Sequence, residues 1–353
     1  MKLSKMFLAA MLSVAAIGAA LQRPAAADDP VGVRQISAWS RERGAALDVT
    51  VWYPAAPGGS PVTLGESPFF VGTPALRDAP LADGRFPVIL LSHGAGIGGN
   101  AAALSWIATP LAEHGYIVAA PNHPGNSGPD RSARETMKLW LRPADLSASL
   151  DALGASGLFA PHLEPGKVGV LGLSAGGSTA LAIAGARFDA QRLAAYCDTD
   201  ALNPSLCGWV RQSGVDLHAM DMRGAGRDNR DPRVGFAMAI DPAPVDVFDP
   251  GSFAGIAIPM ALVNLGRPGE IPVTLQAAGI AAEIPQASYA TVADARHFSM
   301  FALCKPGAAE LAEAEQIGDP ICADGGGRGR AALHAALIDM ATAAFDRALQ
   351  QAR

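Results

Sequence analysis

From about residue 86 onward, short unbroken apolar runs alternate with longer stretches of small and apolar residues at helical spacing. The runs Phe86–Leu91, Tyr116–Ala120, Val168–Leu173, Val234–Ile240 and Met260–Val263 are of the kind a parallel sheet buries on both faces. Ser288–Val292 makes a last strand. Earlier in the chain, Val33–Ala38 and Leu47–Tyr53 also read as strands, the second alternating in polarity before Pro54. Helices fit the intervals at Ala102–His114, Pro143–Leu153, Ala175–Ala184, Thr274–Ala282 and, near the C-terminus, Arg330–Gln350. Pro143 suits a first-turn position, where its missing N–H costs nothing. Ala55 to Gly84, rich in Pro and Gly, reads as a connection. Residues 188–232 interrupt the alternation with polar, Asp/Arg-rich sequence. They make either a small cap above the carboxyl ends of the strands, where ligands bind, or a passive surface loop. There is no internal repeat. The pattern predicts an α/β architecture: a mostly parallel central sheet with helices on both faces and a small cap-like insertion.

The first residues read differently. Lys2 and Lys5 precede an uncharged apolar stretch, Phe7 to Leu21, and Pro24-Ala25-Ala26-Ala27 supplies small residues for cleavage. That is the layout of a signal peptide over residues 1–27, leaving 28–353 as a single domain, periplasmic or secreted. The apolar stretch is shorter than the ~20 residues of a spanning helix, and no later segment is apolar enough to span a membrane.

Composition narrows the function classes. Half of the residues are hydrophobic, enough for a large core, and the net charge of −6 comes with no basic run, so nucleic acid has no electrostatic footprint. The four cysteines, Cys197, Cys207, Cys304 and Cys322, lie in loop-like stretches. An even count in an oxidising compartment suggests two disulfides, and Cys197–Cys207 with Cys304–Cys322 closes two short local loops. Their spacings are wide and no His lies beside them, which argues against a metal site.

The candidate chemistry centres on Gly172-Leu173-Ser174-Ala175-Gly176, the one G-x-S-x-G in the chain. A short apolar strand leads in and a small-residue helix leads out. This places a serine on a tight strand-to-helix turn with its hydroxyl exposed at the edge of the sheet. Upstream, Ser92-His93-Gly94-Ala95-Gly96 ends the strand Phe86–Leu91. Backbone N–H groups of Ala95 and Ala175 are the candidates to hold an oxyanion, with His93 bracing the turn. The stretch Gly94 to Gly99 is also a literal G-x-G-x-x-G. The next strand ends in Pro121-Asn122-His123 with no acidic residue for a ribose, so a dinucleotide site fits poorly.

A triad in this setting runs in the order Ser, acid, His, and only His218, His297 and His334 follow Ser174. His218 lies in the polar insertion and His334 in a helix, whereas His297 follows the last strand on a loop able to reach Ser174. The acid must fix the imidazole tautomer. Asp241 ends the strand Val234–Ile240; after the following strand only Glu270 is available, and it is the alternative acid. Asp294, close to His297 in sequence, is expected to cap the loop.

With these residues in place, the chain resembles the α/β-hydrolases grouped as predicted dienelactone hydrolases and platelet-activating-factor acetylhydrolases. The resemblance runs from Val51-Trp52-Tyr53-Pro54 to His297-Phe298 and is clearest at Leu91-Ser92-His93-Gly94, His114 to Ala120, Gly172 to Gly177, Ala239-Ile240-Asp241 and Arg296-His297-Phe298. In the acetylhydrolase branch the acid follows the strand before the usual one, which implies Asp241. The residue after His-Gly as an oxyanion donor implies Ala95. Dienelactone hydrolases use a Cys nucleophile, where this chain has Ser174. The expectation is a serine esterase that cleaves a small-molecule or lipid ester through an acyl-enzyme, without metal or organic cofactor. An acyltransferase with the same nucleophile differs in its product when an alcohol is added. A non-catalytic protein of this fold differs in failing to react with a fluorophosphonate. Oligomeric state is not encoded legibly.

Overall fold

The computed structural model describes residues 30–126 and 130–350. The expected signal peptide, residues 1–27, lies outside the described residues. Among the described residues, ten strands form one sheet: β1 Val31–Ser40, β2 Ala45–Pro54, β3 Ser60–Leu64, β4 Thr73–Arg77, β5 Phe86–Ser92, β6 Ile117–Pro121, β7 Leu163–Leu173, β8 Phe236–Ile240, β9 Met260–Leu265 and β10 Ala287–Val292. Their spatial order is β10-β9-β8-β7-β5-β6-β2-β1-β4-β3. Strands β5 to β10 run parallel to their neighbours, and β2 turns the sheet antiparallel where it meets β6. The helices are α1 Ser105–Glu113, α2 Ala133–Thr136, α3 Arg142–Ala155, α4 Ala175–Ala184, α5 Ala190–Ala195, α6 Pro204–Gln212, α7 Ala278–Glu283, α8 Ala308–Ala314 and α9 Arg330–Phe345.

Side chains alternate across the strands, so each apolar run feeds two cores. Val88 and Leu90 of β5 join Ile117 and Ala119 of β6 beneath α3 and α4. Ile89 and Leu91 join Val118 and Ala120 on the other face, beneath α1 and α9. Ile89, Leu90 and Leu91 are fully buried, each worth about 1.5–3 kcal/mol relative to exposure. Close approach of α9 to β7 relies on Gly169, where a Cβ would lie 2.6 Å from the ring of Phe345.

Two regions depart from the expectation, and a third, left open between a cap and a loop, is helical. Ala55 to Gly84 is not a bare connection, because it contains the antiparallel pair β3 and β4, which adds an edge through β1. Short edge strands carrying Pro and Thr lack the apolar run that marks a buried strand. The helix expected over Thr274–Ala282 is split into a 3₁₀ turn, Val273–Leu275, and α7. Residues 188–232 hold two helices, α5 and α6, joined by a disulfide between Cys197 and Cys207. Leu193, Tyr196, Cys207 and Val210 bury into the core on the α4 face. The second disulfide joins Cys304 to Cys322. Among the described residues, no helix is long and apolar enough to cross a membrane.

Candidate active site

Ser174 stands between β7 and α4 with a left-handed φ of 56°. Its glycine neighbours explain how the chain accepts that turn. A Cβ on Gly172 would lie 1.9 Å from the Gly176 carbonyl oxygen, and one on Gly176 would lie 1.8 Å from that of Ser92. Helix and strands therefore meet backbone to backbone, and α4 can begin directly after the serine. Ala175 is the first residue of α4, so its N–H has no partner within the helix and is free to face a ligand.

Sheet register brings the partners together. Leu173 pairs with Ile240, so Ser174 and Asp241 leave adjacent strand ends side by side. The Ser174 N–H donates to the Ile240 carbonyl at 3.1 Å. His297 arrives after β10, on the 3₁₀ turn His297–Met300. Its Nε2 lies 3.0 Å from Ser174 Oγ and its Nδ1 lies 2.6 Å from Asp241 Oδ2. Asp241 is fully buried. Its other oxygen, Oδ1, accepts from Asn264 Nδ2 at 2.8 Å and from the Leu265 N–H at 2.9 Å. Those bonds leave Oδ2 aimed at the imidazole, whose Nδ1 must donate, so Nε2 is left to accept from the serine. Glu270, the alternative acid, is exposed and has no place in this chain of bonds.

The turn after β5 approaches the serine from the other side. A Cβ on Gly94 would lie 3.2 Å from Ser174 Cβ, so only glycine permits the contact without displacement. Ala95 follows in extended conformation. Beside Ser174 lies a small recess of ≈ 20 Å³ lined by Gly94, Gly98, Leu104, Leu173, Met300 and Phe301, among others. The lining is apolar and includes no residue of the 188–232 segment.

The other sequence candidates lie elsewhere. Asp294 does not cap the His297 loop; it forms a two-pronged ion pair with Arg328 at 2.7 and 2.8 Å. His218 is exposed and meets Asp198. His334 is buried on α9, stacks on Trp106 with ring centroids 3.8 Å apart, and its Nε2 lies 3.0 Å from the Ser299 and Phe301 carbonyls. It thus holds the turn that carries His297. Burial pushes its pKa down to about 4.

One group the sequence reading missed is a buried polar cluster under the His93 turn. His123 Nδ1 lies 2.8 Å from Asp145 Oδ2, and His123 Nε2 lies 2.9 Å from Ser92 Oγ. Arg43 binds both Asp145 oxygens. Burial, followed by the charges of Arg142 and Arg43, drives His123 well below the usual histidine range, and burial with His123 and Arg142 does the same to His93. A usable signal was present: Arg142 and Asp145 sit on the stripe of α3 that also carries Leu146, Ser149 and Leu153, where charges have no solvent to face.

The family model named Chlorophyllase matches residues 62–201. A ferulic acid esterase from Streptomyces cinnamoneus superposes with a TM-score of 0.59 at 19% identity, covering 93% of this chain and 92% of its own. The chain has the α/β-hydrolase fold. A dienelactone hydrolase from Anabaena variabilis superposes more loosely on the chain, with a TM-score of 0.49 at 15% identity over 90% of this chain and 98% of its own. No curated protein matches the chain by sequence.

Proposed function

We propose that this α/β-hydrolase is an exported serine esterase. The observation that carries the reading is the unbroken line of hydrogen bonds from Ser174 Oγ through His297 to buried Asp241, at 3.0 and 2.6 Å. In the first step His297 Nε2 takes the hydroxyl proton as Ser174 Oγ attacks the ester carbon. The N–H groups of Ala95 and Ala175 hold the oxyanion, and the imidazolium, stabilised by Asp241, gives its proton to the departing alcohol. Water, deprotonated by the same imidazole, then releases the acid and frees the serine.

In this reading the two halves of the ester lie on opposite sides of Ser174. The alcohol must leave past His297, which is its proton donor. The recess is lined by Ser174, Gly94 and apolar side chains rather than by His297, which supports it as the seat of a short, apolar acyl group. Ester cleavage fits the ferulic acid esterase by name, and two disulfides fit an oxidising compartment outside the cytoplasm. The test is fluorophosphonate labelling with hydrolysis of p-nitrophenyl esters of increasing chain length, run beside a phospholipid and a polyester film. The expected result is labelling abolished by Ser174→Ala and turnover that falls as the acyl chain lengthens. A wild-type protein that neither labels nor turns over any ester refutes the reading.

A further inference from the structure

Ser92, His123 and Asp145 have the residue types of a second triad, yet none exceeds 1% exposure. No substrate reaches them, so the cluster orients something rather than reacting. The hydrogen bonds show what it touches. The His123 backbone N–H donates to His93 Nε2 at 3.0 Å. That nitrogen must therefore be the acceptor, and the proton of neutral His93 sits on Nδ1. His93 Nδ1 lies 2.7 Å from the Gly94 carbonyl oxygen and donates to it. Arg142 approaches the same turn: its Nη2 donates to the His93 carbonyl and, at 3.4 Å, to that of Gly94.

The Gly94 carbonyl and the Ala95 N–H belong to one peptide unit. The only cis peptide bond among the described residues is Ala243–Pro244. The Gly94–Ala95 unit is therefore trans and planar, with its N–H directed opposite to its C=O. Two donors on the carbonyl thus fix where the N–H points. We propose that Arg142 and His93 are positioning residues for oxyanion binding: they clamp the Gly94 carbonyl so that the Ala95 N–H faces the reacting carbon on Ser174. The clamp rests on the serine-esterase reading. Ser92, His123 and Asp145 hold His93 in the one tautomer that can donate to Gly94. Glycine at position 94 makes the clamp necessary, since that backbone has no Cβ to resist a peptide flip. Arg142 is buried at 2% exposure, and its Nε finds no partner among the described residues. Burying an incompletely paired guanidinium is costly, and its contacts with these two carbonyls give it a function.

The experiment measures kcat per active site on p-nitrophenyl butyrate, with sites counted by fluorophosphonate titration, for wild type, Arg142→Met, Arg142→Lys and His93→Phe. Binding of a trifluoromethyl ketone, whose serine adduct carries an oxyanion, is measured alongside. Removing an oxyanion donor outright costs about 10²–10³ in kcat, so misdirecting one is expected to cost about 10- to 100-fold. KM should hold within twofold, and ketone affinity should weaken by the same factor as kcat. Arg142→Lys, a point donor in place of a fork, should fall between. A folded Arg142→Met with wild-type kcat per site overturns the clamp, as does a loss confined to the number of titratable sites. If Arg142→Met does not fold, wild-type kcat in both Arg142→Lys and His93→Phe overturns it. Failure of the wild type to label or turn over instead marks failure of the esterase reading.

Discussion

Replacing Asp241 by asparagine isolates what the buried carboxylate does. Three donors converge on it: His297 Nδ1 on one oxygen at 2.6 Å, and Asn264 Nδ2 and the Leu265 N–H on the other at 2.8 and 2.9 Å. Asparagine offers one oxygen and one amide nitrogen. With its oxygen turned to Asn264 and Leu265, its NH₂ faces the imidazole, which must then accept at Nδ1 and carry its proton on Nε2. Such an imidazole cannot accept from Ser174. Turned the other way, the NH₂ opposes two buried donors, each left unpaired at about 1–3 kcal/mol. The first arrangement sacrifices less, so the variant folds and holds the wrong tautomer. The expected loss is about 10⁴ in kcat for p-nitrophenyl butyrate, equivalent to ~5.5 kcal/mol of transition-state stabilisation at about 1.4 kcal/mol per decade. Thermal unfolding should show a loss of only ~1–3 kcal/mol in stability. Asp241→Asn with turnover within tenfold of wild type, while Glu270→Gln is inactive, would show the assignment of the acid to be wrong.

Other outcomes follow from the same geometry. Gly176→Ala puts a Cβ 1.8 Å from the Ser92 carbonyl oxygen, so urea unfolding should register a loss above about 4 kcal/mol. Breaking the Cys304–Cys322 bridge by Cys304→Ala with Cys322→Ala frees a loop of sequence separation 18; the expected loss is ~3 kcal/mol by calorimetry. Burial lowers His334 to about 4 in the folded protein, below the ordinary histidine value of about 6.5. The unfolded chain therefore binds the extra proton first, and stability is lost as pH falls through that window, by up to ~3 kcal/mol. His334→Gln should flatten the acid limb of the Tm–pH profile between those values, and an unchanged limb would count against His334 as its source.

Much of the molecule was legible because burial leaves an apolar signature. The runs that became β5 to β9 are enclosed on both faces, and Ser174, His297 and Asp241 sit where strands end and loops converge. What stayed hidden obeys other rules. Strands β3 and β4 hold Pro61, Thr63 and Pro74 at the sheet margin, where pairing with a neighbour decides the conformation and local pattern does not. Helices α5 and α6 lie among Asp and Arg that read as solvent-facing, though Leu193 and Val210 bury beneath them. Arg142, Asp145 and His123 were invisible as a unit because charged residues are read as surface, and only the fold reveals that they satisfy one another. Ala95 was reached through the motif, whereas one of the two donors behind its peptide, Arg142, comes from α3, nearly fifty residues later.

Asn264 has a consequence for how such a site can change over generations. At the tip of β9 its amide nitrogen donates to Asp241 and to the Leu275 carbonyl, while its oxygen accepts from the Ala277 N–H and lies 3.1 Å from the Tyr289 hydroxyl. An aspartate there would set a second carboxylate against Asp241 at hydrogen-bond distance in a dry corner, where two such groups cannot both ionise. The corner has room for one negative charge. In the proposed triad, moving the acid from the tip of β8 to that of β9 by single replacements passes through a corner that holds either two carboxyl groups, one of them neutral, or none.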